Sequence, residues 1–83
     1  PKVDGKTQRN RDEVRKKILQ DELKAEEKAL VESAAALKEG EATRLGDERN
    51  YQKYLDRVQR LKDTVALHEK NVAAIRKELS GLK

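Results

Sequence analysis

No cysteine, methionine, phenylalanine or tryptophan occurs in this chain, and its one proline is its first residue. Without Cys there is no disulfide framework and no thiol chemistry. Two Tyr are the whole aromatic complement, and there are four Gly. A sandwich, a barrel or an α/β enzyme domain needs far more turn, β-branched and aromatic residues than that. No apolar run approaches the roughly 18 residues that span a bilayer. No stretch has the pattern of a secretory leader, and no run of five like charges makes a polybasic tail. The chain opens on Pro1 and holds no Met, so it reads as a processed or excised piece of a longer protein, which leaves open that targeting information was removed with the rest.

What is there in quantity is charge and helix formers. Charged residues make up 43% of the 83 residues, and Ala, Glu, Lys, Leu and Arg dominate. That composition marks long helices or a coiled coil. A chain this short and polar forms one small domain with little to bury. The net charge of +4 is uneven: residues 1–17 carry seven basic and three acidic side chains, residues 18–45 four and seven, and residues 46–83 nine and six.

Gly and Pro punctuate the chain at few places. Segment 1–6 reads as a disordered lead-in. A first helix is expected over about 7–39, with Thr7 as N-cap and Gly40 as the left-handed residue that ends it. A turn over 40–46 leads to a second helix over about 47–80, with Asp47 as its N-cap and Gly81 at its stop. The second helix carries a sustained heptad, with Tyr51, Val58, Val65, Val72 and Leu79 at a and Tyr54, Leu61, His68, Ile75 and Leu82 at d. Its 3.5-residue period implies a left-handed supercoil. In the first helix Leu23, Leu30 and Leu37 fall seven apart, flanked by Leu19 and Ala34. A second stripe of Val14, Ile18, Ala25, Ala29 and Ala36 lies about 120° away around the axis, and a second stripe calls for a second neighbour.

Two such helices joined by a short turn fold back antiparallel. Pairing residues whose numbers sum to about 91 sets Leu37 by Tyr54, Leu30 by Leu61, Leu23 by His68 and Leu19 by Val72, with Leu45 covering the end layer beside Tyr51. The expected fold class is therefore all-α: an antiparallel two-helix coiled-coil hairpin. A lone hairpin of this size has a marginal core, so it is expected to dimerise into a four-helix bundle through the Ala-containing stripe.

Few residues offer chemistry. His68 is the single His, and no second His or Cys completes a metal site with it. It reads as a seam histidine paired with Glu22 or Glu26. The carboxylates Asp21, Glu22, Glu26 and Glu27 lack the Glu-x-x-His pattern of di-metal bundles and the cleft of a glycosidase. No catalytic residue, metal site or cofactor is expected. The basic residues Arg9, Arg11, Arg15, Lys16 and Lys17 converge with Arg76 and Lys77 at the open end of the hairpin. Such a patch could grip phosphates or an anionic surface. Asp12 and Glu13 interrupt it, and no aromatic platform accompanies it. Tyr51 and Tyr54 form the only aromatic patch, either as a partner contact or as packing at the hairpin tip.

The run Gly46-Asp47-Glu48-Arg49-Asn50-Tyr51-Gln52-Lys53-Tyr54-Leu55-Asp56-Arg57 is more distinctive than the rest. Together with Gln20-Asp21-Glu22-Leu23 and Leu67-His68-Glu69-Lys70-Asn71-Val72, it resembles the helical region of a Gram-negative envelope protein family that includes the periplasmic type IV pilus maintenance protein TfpC. In that family a short N-terminal β-rich domain precedes the coiled coil, and this chain has no such domain. The resemblance implies a periplasmic location and a non-catalytic role in pilus assembly or stability, through protein partners and self-association. It brings no catalytic residues with it. The competing expectation from the residues alone is a nucleic-acid or anionic-surface binder acting through the basic open end.

Overall fold

The computed structural model describes residues 4–43 and 51–82. They form two helices, α1 (Gly5–Ala42) and α2 (Tyr51–Gly81), which pack on one another as a hairpin. The molecule measures 68 × 19 × 15 Å, with a radius of gyration of 19.7 Å. A globular chain of this length would have a radius of about 12 Å, so this is a rod. The expected all-α hairpin is what forms. The expected start of the second helix at 47, its Asp47 cap, the Leu45 cover and the first three residues of the lead-in lie outside the described residues.

The ends of α1 differ from expectation. The helix starts at Gly5, within the expected lead-in, because Asp4 rather than Thr7 is the N-cap. Asp4 sits in extended backbone (φ −72°, ψ 164°) and accepts the Thr7 amide at 2.8 Å. Its own carbonyl accepts the Gln8 amide at 3.1 Å. Thr7 is thus the third helical residue, whose orphan N–H the cap satisfies. At the other end α1 runs through Gly40 to Ala42 and closes at Thr43, whose amide donates to Glu39 O at 2.9 Å. Among the described residues no glycine has positive φ, so Gly40 is not a left-handed terminator. It faces α2, and a Cβ placed there would collide with the Leu61 Cδ1 methyl. Gly40 lets the two helices approach closely.

The register also differs from expectation. Cross-helix contacts join Arg15 to Glu78, Glu26 to His68, Thr43 to Arg57 and Glu27 to Arg76, and Gly40 lies against Leu61. Their numbers sum to 93, 94, 100, 103 and 101. In an antiparallel heptad seam these are the diagonal and flanking sums of a register of about 98, and the last three are incompatible with about 91. The expected register is therefore corrected by one heptad. The new register places Leu37 opposite Leu61, Leu30 opposite His68, Leu23 opposite Ile75 and Leu19 opposite Leu79. A seven-residue slip keeps every apolar position on the seam, so periodicity alone cannot choose between the two registers.

The core is shallow. Among the described residues only Leu19, Val58 and Val72 are buried. Leu23, Leu30, Leu37, Leu61, Val65, Ile75 and Leu79 are half-buried. The d positions of α1 are Leu19, Glu26, Ser33 and Gly40, while Ala34, expected beside the leucines, is exposed. Ion pairs flank the seam on both sides: Arg15–Glu78 at 2.8 Å on one, Arg76–Glu27 at 2.9 Å on the other. These exposed pairs each contribute about 0.2–1 kcal/mol.

Candidate functional site

The second stripe of α1 is left open to solvent by α2. Val14 is 60% and Ile18 52% exposed, Ala25 and Ala36 are exposed, and Ala29 is half-buried. Val14 and Ile18 line a groove of about 610 Å³ at the open end, walled by Thr7, Asn10, Arg11, Arg15, Glu22 and Glu78. Further along, a hollow of about 280 Å³ opens beside Ala25, Ala74 and Ile75. Ala74 of α2 thus joins the α1 stripe on one side of the hairpin. The sequence carried that signal in Leu67 and Ala74, seven apart and off the main heptad, and reasoning from α1 alone missed it. Leu67 is also exposed.

Three residues of the basic open end pair with carboxylates. Arg15 donates to Glu78 at 2.8 Å, Lys17 to Asp21 at 2.9 Å, and Arg76 to Glu27 at 2.9 Å. Arg9, Arg11, Lys16 and Lys77 are exposed around these pairs. The resulting surface is of mixed sign. A phosphate backbone needs several cations acting together, and three of the seven residues of the expected patch already face an anion of their own chain.

In the seam, His68 Nδ1 lies 2.7 Å from Glu26 Oε2, with both side chains about a quarter exposed. Of the two expected partners it is Glu26 that pairs. Glu22 points out into solvent, because it sits one turn round from the seam on the flank of α1. An ionised carboxylate only accepts, so Nδ1 carries the proton. The bond therefore holds with either the imidazolium or the Nδ1–H neutral ring. His68 holds the Glu26 carboxyl below its ordinary value, against the opposing effect of burial, and the nearby Asn71 amide assists. Among the described residues no buried side-chain nitrogen or oxygen lacks a partner.

At the loop end the two tyrosines divide their roles. Tyr54 donates its hydroxyl to Glu41 O at 2.7 Å, and Arg57 donates to Thr43 O at 3.2 Å while lying 5.3 Å from the Tyr54 ring centre. Two of the carbonyls that a helix C-terminus leaves unsatisfied are thus capped from α2. Tyr51 stacks on Tyr54 with centroids 5.6 Å apart and remains half exposed. Tyr54 belongs to the hairpin's own packing, and Tyr51 covers it from outside.

Among the described residues no group of three or more His, Asp or Glu side chains is arranged to hold a metal ion. No helix among them is long and apolar enough to cross a membrane. No family model, curated protein or solved structure matches the chain.

Proposed function

We propose that the chain is a non-catalytic coiled-coil module that works through protein contacts in the cell envelope, in support of type IV pilus maintenance, and that it self-associates. The observation that carries the protein-contact reading is the open apolar face of α1. A rod with three buried residues among those described keeps Val14 and Ile18 exposed over a groove, which is the anatomy of a binding surface rather than of a reaction cleft. The single imidazole is held by Glu26. The periplasmic and pilus parts of the reading rest on the resemblance of segments 20–23, 46–57 and 67–72.

The test is genetic. Deleting the gene from its own bacterium should reduce surface piliation, the wild-type gene should restore it, and an Ile18→Glu gene should not. Unchanged piliation on deletion would overturn the pilus assignment. Fractionation of a tagged full-length protein away from the periplasm would overturn the location. The nucleic-acid reading predicts binding that falls steeply between low and physiological salt. The pairing of Arg15, Lys17 and Arg76 with carboxylates weighs against it, and the expected result with duplex DNA at low salt is no binding.

A further inference from the structure

We infer that the second neighbour of α1 is another copy of this chain, docked antiparallel so that Val14 and Ile18 of each copy seat on Ala29 and Ala25 of the other. This rests on the self-association reading above and gives it a register. At 100° per residue, Arg11, Val14, Ile18, Ala25, Ala29 and Glu32 fall within an arc of about 60° on α1. Their spacing is symmetric about a point between residues 21 and 22. A two-fold axis through that point, perpendicular to the helix, pairs Arg11 with Glu32, Val14 with Ala29 and Ile18 with Ala25. Large residues meet small ones, and a cation meets an anion. A parallel arrangement would instead set Arg11 on Arg11 and Glu32 on Glu32.

The shape of the surface agrees. The hollow beside Ala25 and Ala74 receives the partner copy's Ile18, and by symmetry each copy gives and receives the same contact, as an isologous interface requires. One element opposes the pairing: Asp21 and Glu22 of both copies gather near the axis. Asp21 is held by Lys17, so Glu22 carries the repulsion.

Sedimentation of the folded chain at micromolar to sub-millimolar concentration tests this. The wild type should dimerise. Arg11→Glu and Glu32→Arg should each weaken the dimer about tenfold, since each reversal spoils two symmetry-related exposed pairs of about 1 kcal/mol at most. The double variant should restore it. Glu22→Gln should tighten it, and Val31→Glu, on another face of α1, should leave it unchanged. All four positions are exposed, so the helical circular dichroism should persist in every variant. A monomeric wild type overturns both the register and the self-association reading. A wild-type dimer that ignores both reversals, or that the double reversal fails to restore, overturns the register alone.

Discussion

Gly40→Ala separates two physical roles for the same residue. If Gly40 were an ordinary glycine inside a solvent-facing helix, alanine would stabilise the fold by about 0.8–1.0 kcal/mol through helix propensity. In the structure its added Cβ runs into Leu61 Cδ1, while Leu61 Cγ stays at an ordinary 3.9 Å. Only the methyl end must move, but Leu61 is a seam residue and its movement reopens the layer beside Val58. Overpacking of this kind costs about 1–3 kcal/mol. The net expectation is destabilisation by about 1 kcal/mol, or a melting temperature lower by about 4–8 °C in a domain of this size. Gly5→Ala is the control, since its Cβ meets nothing closer than Arg9 Nη1 at 3.7 Å, and it should be neutral or slightly stabilising. The assay is thermal unfolding by circular dichroism at one fixed protomer concentration, because association shifts the midpoint. In a Leu61→Ala background the clash is gone, and Gly40→Ala should become stabilising. Such a change of sign is a coupling that only contacting residues show. A Gly40→Ala protein that melts higher than wild type, with Leu61 intact, would refute the close-approach argument.

Leu19→Ala should destabilise by about 2–3 kcal/mol, the lower part of the range for leucine because so shallow a core can partly collapse. Val31→Ala, at an exposed position, should fall within about 0.5 kcal/mol of wild type in the same denaturant titration. The Glu26 and Asp4 carboxyls are held below their ordinary values of 4.5 and 3.8, Glu26 by the His68 hydrogen bond and Asp4 by the Thr7 amide. Their stabilisation is therefore present above those values and is lost as pH falls through the lower folded ones. Unfolding followed from neutral pH down through 4.5 should show this acid limb, and Glu26→Gln should flatten its upper part; an unchanged limb would exclude Glu26 as its source. Replacing both Glu26 and His68 by Leu should keep the hairpin and its register and raise the melting temperature, since exchanging a paired, half-buried couple for apolar contact is often stabilising. A lower melting temperature or a scrambled register, read by paired spin labels, would show that the pair specifies the fold.

The fold class was legible because the strongest signals in the chain are long-period ones. The heptad of α2 reports one buried face over about four and a half heptads, between eight and nine turns, and local chemistry does not compete with it. The α1 seam was half legible. Its leucines at 23, 30 and 37 stand out, whereas Glu26, Ser33 and Gly40 occupy d positions with residue types that read as surface or loop. By hydropathy Ala34 reads as the better seam residue, yet it is exposed. The helix ends were the least legible. Asp4 and Thr7 are both good caps, and Gly5 after Asp4 reads as a breaker, although glycine costs little at a first helical position, where fraying is already present. At the candidate interface, the α1 stripe could be read from spacing. The contribution of Ala74 could not, because which α2 residues share that side depends on the register.

The register itself turns on Gly40. A glycine after a long helix is most often its terminator, whereas α1 continues through Gly40 to Ala42. The two alignments, with sums of about 91 and about 98, differ by one heptad, more than that extension supplies by itself. The Glu26–His68 bond does not distinguish the two, since a sum of 94 is a diagonal of either register. Two contacts at the loop end do: Leu61 against Gly40 and Arg57 on Thr43 O, while Tyr54 on Glu41 O, with a sum of 95, is again a diagonal of either. Each depends on α1 extending past 40. The Tyr54 and Arg57 bonds satisfy carbonyls that an α1 ending at Glu39 would not present, and the missing side chain at 40 gives Leu61 its hole. The capping groups of α2 and the glycine of α1 therefore favour the same alignment, while the apolar heptad is indifferent between alignments seven residues apart. In a seam this uniform, register is set by its non-apolar members.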